Sequence, residues 1–130
     1  MSMKNLFINL FVVFFLFSCG KYENGPSISL RSKKQRICNI WQSNYDNDEI
    51  FEFKEDGSCE LYYLSDLPFK YEGTWEFSDD KSQISTNVSG NIGFGTVTIN
   101  DTYNIIELRK DRLCIEDAIF SYENCFTPYE

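Results

Sequence analysis

Histidine is missing from all 130 residues, which removes the commonest general base and the commonest metal ligand together. Basic residues are few: 12 Lys and Arg stand against 20 Asp and Glu, a net charge of −8. A surface of that sign repels nucleic acid and anionic lipid head groups, so neither is an expected partner. There is no Gly-x-Ser-x-Gly, no Cys–His pair, no P-loop and no Cys-x-x-Cys, so acyl-transfer, nucleotide and zinc-site signatures are all wanting. Gly90-Asn91-Ile92-Gly93-Phe94-Gly95 is glycine-rich, but neither a lysine nor a helical pattern follows it, and an edge or bulge accounts for it better than phosphate binding. The acidic runs Asp46-Asn47-Asp48-Glu49 and Glu116-Asp117 lack the glycine and closing glutamate of a calcium loop and read as solvated turns. The expectation is a non-enzyme, with no catalytic residues, no cofactor and no metal.

Long apolar runs are scarce as well. The one that exists, Leu6 to Phe17 after Met1-Ser2-Met3-Lys4-Asn5, is too short for the roughly 20 residues of a membrane span. A short basic segment, an apolar segment and a small residue at the cut are the parts of a secretory signal. Its last four residues, Leu16-Phe17-Ser18-Cys19, resemble the lipobox of bacterial lipoproteins, although Phe17 is bulkier than that box usually carries. The resemblance implies lipid attachment at Cys19, the thiol being needed for the thioether. Two or more acyl chains make such an anchor stable. Gly20 in place of an aspartate after the cysteine implies, by resemblance to lipoprotein sorting in Gram-negative bacteria, the outer membrane. The expected organisation is a signal peptide over 1–18, a lipidated cysteine with a flexible tether over 19–34, and one domain over 35–130. If flexible, the tether spans roughly 20 Å on average.

No stretch beyond residue 34 sustains a 3.6-residue apolar period, and none repeats. The grammar is period two. Alternation predicts strands over 37–42, 50–54, 59–63, 69–77, 83–88, 93–99, 103–108, 113–115 and 120–126, with turns at Glu55-Asp56-Gly57-Ser58, Ser78-Asp79-Asp80-Lys81, Asn100-Asp101 and Arg109-Lys110-Asp111-Arg112. Pro68 cannot sit inside a central strand. Short strands with turns at near-regular spacing predict an all-β, antiparallel sandwich or barrel.

The order Ile37-x-Asn39-x-Trp41, Phe53-x-x-Asp56-Gly57-Ser58, Gly73-Thr74-Trp75, Ile106-x-Leu108 and Leu113-x-Ile115 resembles the small lipocalin-like domains of secreted bacterial lipoproteins. Ile37, Asn39 and Ser58 replace the Leu, Gly and Thr usual there. The resemblance implies an up-and-down β-barrel of about eight strands, with room for a filled interior or one small ligand. The inferred inward face comprises Trp41, Phe51, Phe53, Tyr63, Tyr71, Trp75, Phe77, Phe120 and Tyr122, with Ile37, Ile84, Val88, Ile106, Leu108, Leu113 and Ile115. Aromatics that bury roughly 150–250 Å² each could fill such a barrel. Alternatively Tyr63, Tyr71 and Trp75 line a ligand site at one mouth, with Gly73 marking a close approach or bulge beside it. The two functions that follow are binding of a small apolar or amphipathic molecule, and a protein-interaction module of the cell envelope with a filled core. The expected partners are thus the membrane, through the N-terminal lipid, and a small ligand or an envelope protein.

Four cysteines remain for disulfides: Cys38, Cys59, Cys114 and Cys125. An exported chain favours bonding, and three connectivities exist. Cys38–Cys125 would join the first and last strands, Cys114–Cys125 would clip one hairpin, and free buried thiols are the alternative to either.

Overall fold

Eight antiparallel strands close into one barrel, each paired with its neighbours in sequence and the last returning to the first. The structure is a computed structural model and describes residues 32–130; Cys19, the expected signal peptide and most of the expected tether lie outside the described residues. The strands are β1 (Ile40–Ser43), β2 (Glu49–Phe53), β3 (Ser58–Tyr63), β4 (Lys70–Phe77), β5 (Gln83–Asn91), β6 (Thr96–Leu108), β7 (Leu113–Asp117) and β8 (Glu123–Pro128). Among the described residues one short helix, α1 (Lys33–Ile37), precedes them, and a 3₁₀ turn at Leu64–Asp66 lies between β3 and β4. Closure gives every strand a neighbour on both sides, and β1 completes the ring by pairing Trp41, Gln42 and Ser43 with Pro128, Thr127 and Phe126.

Period two sorts the side chains. Phe51 and Phe53 of β2, Cys59 of β3, Trp75 of β4, Ile84 and Val88 of β5, and Leu113 and Ile115 of β7 form one buried cluster with Trp41 and Phe126. Its aromatic seam runs from Phe51 stacked on Phe53 (4.5 Å) to Trp75 edge-on to both Phe53 (5.4 Å) and Phe77 (5.2 Å), arrangements that suit the ring quadrupoles. Each such side chain contributes about 1.5–3 kcal/mol by leaving water.

The two ends of the barrel differ. At one end α1 acts as a plug. Ser32 caps it through a reciprocal pair, Gln35 N donating to Ser32 Oγ (3.1 Å) and Ser32 N to Gln35 Oε1 (3.0 Å), which satisfies two otherwise orphaned donors. The fully buried Ile37 ends the helix, and the buried Trp41 donates its indole N–H to the Ile37 carbonyl at 2.8 Å. Arg36 ties the plug to β6 through the Leu108 carbonyl, 3.1 Å away. At the other end the β1–β2, β3–β4, β5–β6 and β7–β8 connections surround an open mouth.

Four expectations need correction. Residues 33–37 form a helix, so the first strand begins at Ile40 and not at Ile37. Asn100-Asp101 is no turn, because β6 runs unbroken from Thr96 to Leu108 with its first nine residues laddered onto β5. The two expected strands over 93–99 and 103–108 are thus one, and the total is eight. Ile106 does not face inward: the β6–β7 register shifts between Ile105 and Glu107, which buries Ile105 and Leu108 on the core side and leaves Ile106 half-exposed. Phe120 and Tyr122 belong to the β7–β8 connection, 79% and 52% exposed, and not to an inward strand face.

The four described cysteines resolve into one bond and two thiols. Cys114 and Cys125, opposite each other on β7 and β8 with Cα atoms 4.1 Å apart, form the disulfide that clips that hairpin. Beside it Glu107 pairs with Arg109 (2.9 Å) and Arg112 (3.3 Å). Cys38 and Cys59 are free. Burial pushes the Cys59 thiol up to about 11, which keeps it protonated and unreactive at neutral pH.

Candidate functional site

A cavity of about 370 Å³ opens at the unplugged end. Its floor is apolar: Phe51 of β2, Ile115 of β7 and Phe126 of β8, all buried. Tyr103 of β6 and Asn124 of β8 form part of the wall, and Phe120 and Tyr122 stand at the rim. Two carboxylates, Glu49 at the start of β2 and Asp117 at the end of β7, complete the lining. An apolar floor with a few convergent polar groups is the usual design of a small-molecule site. A depression of about 390 Å³ on β4–β6 is lined mainly by hydroxyl, amide and carboxylate side chains such as Thr74, Ser85, Asn87 and Thr102, and offers no comparable floor.

Alternation puts the two carboxylates there. Glu49 lies two residues before Phe51 and four before Phe53, so it shares their inward face. Asp117 lies two residues after Ile115. A third carboxylate, Asp101, lies between Ile99 and Tyr103 at the same parity and accepts a hydrogen bond from the Tyr103 hydroxyl at 3.0 Å. Strand β6 continues past its last pair with β7, Tyr103↔Asp117, so the β5–β6 hairpin stands beyond the mouth and carries Asp101 with it.

The rim is tied down by short-range hydrogen bonds. Asp117 Oδ1 accepts from the backbone N–H of Ile119 (2.8 Å) and of Phe120 (2.9 Å), which folds the β7–β8 connection back over the mouth. The buried Ser43 hydroxyl accepts from Tyr45 N (3.2 Å) and Asp46 N (3.1 Å) and meets Asn124 Oδ1 at 3.1 Å. Asp48 takes both the backbone N–H and the hydroxyl of Ser65, joining the β1–β2 and β3–β4 connections. Tyr45 and Tyr122 meet edge to face, 5.9 Å between centroids.

The electrostatics of the site have one sign. Burial raises the Glu49 pKa, and the neighbouring Asp46 charge raises it further. Burial likewise raises Tyr103, helped by the charge of Asp101 and the hydrogen bond to it. Tyr63, paired with Glu49 across β2 and β3, is raised by burial and then by the Glu49 and Asp46 charges. Among the described residues lining the cavity there is no lysine or arginine.

The expected site residues divide. Tyr63 and Tyr71 are half-buried near the open end, Tyr71 edge-on to Phe69 at 5.3 Å and close against Gly90, but neither lines the cavity. Trp75 lies toward the plugged end: it is buried in the core and donates its indole N–H to the Lys54 carbonyl of the β2–β3 turn at 2.9 Å. It is a packing residue, and the mouth is lined by other side chains. Phe120 and Tyr122, expected in the core, are at that mouth. Glu49 and Asp117, read as parts of solvated turns, face into it.

Family models, characterised proteins and solved structures return no match to this chain.

Proposed function

We propose that this chain is a non-catalytic, lipid-anchored protein of the bacterial outer membrane whose barrel binds one small amphipathic molecule at its open end. The carrying observation is the cavity of about 370 Å³ with Phe51, Ile115 and Phe126 as its floor, an apolar base against which part of a ligand's surface would leave water. The lipocalin-like order of motifs and a barrel plugged at one end support the same reading. The described chain enters the barrel at Ser32, beside the plug. An anchor at Cys19 would therefore join the domain at the end away from the cavity.

A neutral naphthylamine probe such as N-phenyl-1-naphthylamine should bind saturably, one per barrel, with a dissociation constant of about 1–10 µM. Phe120→Ala should weaken the probe severalfold while leaving the unfolding free energy within about 0.5 kcal/mol of wild type, because this rim side chain is largely exposed. A wild type that binds neither this probe nor any other small amphipathic probe saturably would end the ligand reading. The anchor is tested separately: Cys19→Ser should release the protein from the membrane fraction, and wild type should carry acyl mass at Cys19. An unmodified chain starting beyond Cys19 would refute it.

A second reading, an envelope protein partner, is favoured by one specific feature. Of the eight exposed large apolar side chains among the described residues, seven (Tyr45, Leu67, Ile92, Phe94, Ile119, Phe120 and Tyr122) sit on the four connections at the open end, and Tyr129 alone lies at the other. Apolar groups gathered at one end suit a partner surface.

A further inference from the structure

We infer that the molecule taken by this cavity is cationic: an amine or quaternary ammonium group on an apolar body, its charge received by Glu49 and its body by the Phe51–Ile115–Phe126 floor. The inference rests on the ligand-binding reading above and names the chemistry of that ligand.

Glu49 is the decisive group. Its side chain faces into the barrel from the first residue of β2 and is half-buried in the cavity wall. Among the described residues its carboxylate has no hydrogen-bond donor and no cationic partner. A half-buried carboxylate loses much of its hydration, and native structures normally restore that loss with a donor or a counter-charge. Here the surroundings do the opposite. Facing Glu49 are Asp46 from its own connection, Tyr63 from β3, Tyr103 with Asp101 behind it from β6, Asp117 from β7, and Tyr122 from the β7–β8 connection. Every one of these is acidic or a phenol.

Asp117 differs from Glu49, because one of its oxygens is already committed to the turn it caps. It adds charge to the site and leaves Glu49 as the oxygen pair with free acceptor capacity. The basic residues lie elsewhere. Of the nine described lysines and arginines, only Lys70 is placed toward the open end; it belongs to the outward face of β4 and is paired with Glu60 at 3.2 Å. An anionic ligand would meet repulsion from every ionised group at the mouth. A cation would supply the missing counter-charge in a partly desolvated site, where a charge-assisted hydrogen bond is strongest. The aromatic rings of Tyr45 and Tyr122, set edge to face at the rim, add faces over which an ammonium group is attracted.

Three probes of one shape test this: 4-phenylbutylamine, 4-phenylbutanol and 4-phenylbutyrate, titrated against the whole domain by calorimetry and by chemical-shift mapping. In wild type at pH 7 the amine should bind at least about tenfold tighter than the alcohol, and the acid should bind weakest. Glu49→Gln should bring the amine's affinity down to that of the alcohol. The same preference should fade in wild type as pH falls through the Glu49 pKa, which lies above the ordinary 4.5, because only the ionised carboxylate attracts the ammonium group. The pH series needs no variant and stands even if Glu49→Gln folds poorly. Equal binding of amine and alcohol in wild type would overturn this inference and leave the ligand-binding reading standing. Failure of all three to bind, together with the naphthylamine probe, would overturn that reading as well.

Discussion

Gly73→Ala is expected to abolish the folded barrel, or to cost more than about 4 kcal/mol where folding survives. The reason is distance. A Cβ at position 73 would lie 1.8 Å from the Asn87 carbonyl oxygen, 2.7 Å from the Asn87 carbonyl carbon and 2.8 Å from the Val88 Cα. All three atoms are backbone, so no side chain can rotate away. Gly73 pairs with Cys59 on one side and Val88 on the other, and relief would require β4 and β5 to part. An open sheet could splay at an edge, but a closed ring passes the displacement to every neighbour. Gly93→Ala is the control. Nothing lies within 4 Å of its added methyl, and only its φ of +92° resists the change, so a loss of about 1 kcal/mol is expected. Urea denaturation of the two variants measures the contrast. A Gly73→Ala barrel as stable as Gly93→Ala would mean that β4 and β5 do not approach as closely as described.

Much of the barrel was legible because its strands obey period two almost without exception. The segments over 50–54, 59–63, 69–77 and 113–115 fall on β2, β3, β4 and β7 with small differences at their ends. The misses have separate physical causes. Helix α1 was hidden by the alternation of Ile37, Asn39 and Trp41, while Ser32-Lys33-Lys34-Gln35, a capping box in plain view, carried the competing signal. Asn100-Asp101 looks like a turn locally, but nine consecutive pairings with β5 hold it extended. Rungs such as Ser89–Thr98 (2.9 Å) and Gln83–Asn104 (2.8 Å) reinforce them. Tertiary pairing outweighs a two-residue propensity there. The β6 bulge that reverses Ile106 leaves no mark in sequence.

The candidate site was less legible, and for a different reason. Aromatic residues look like its signal, yet in a barrel this small most aromatics are needed for filling, as Trp75 shows by its place in the core. The informative residues were acidic ones at inward parity. Counting by twos back from Phe53 and Phe51 reaches Glu49, and forward from Ile115 reaches Asp117. Each sits in a run of acidic neighbours that reads as a solvated turn. The rim residues Phe120 and Tyr122 read as strand because they alternate, whereas the turn capped by Asp117 ends β7 just before them.

Trp41→Ala is expected to cost about 3–5 kcal/mol through the cavity it leaves, the largest loss among substitutions that keep the strands in register. Trp41 is fully buried and does two things at once. Its ring belongs to the cluster that includes Ile37, Phe51 and Phe126, and its indole N–H satisfies the Ile37 carbonyl that ends α1. Alanine removes the packing and leaves a buried acceptor without its donor, a further penalty of about 1–3 kcal/mol unless water enters. Trp41→Phe separates the two contributions: it keeps most of the apolar volume and deletes only the N–H, so it should lose about 1–2 kcal/mol. Hydrogen exchange at the α1 amides should accelerate in both variants, because the plug is then held mainly by Ile37 and by the Arg36 bond to Leu108. The mouth, at the opposite end, should still take the naphthylamine probe in whatever fraction remains folded. A loss under about 1 kcal/mol for Trp41→Ala would mean that the plug contributes little to stability, and that the core closes at this end without it.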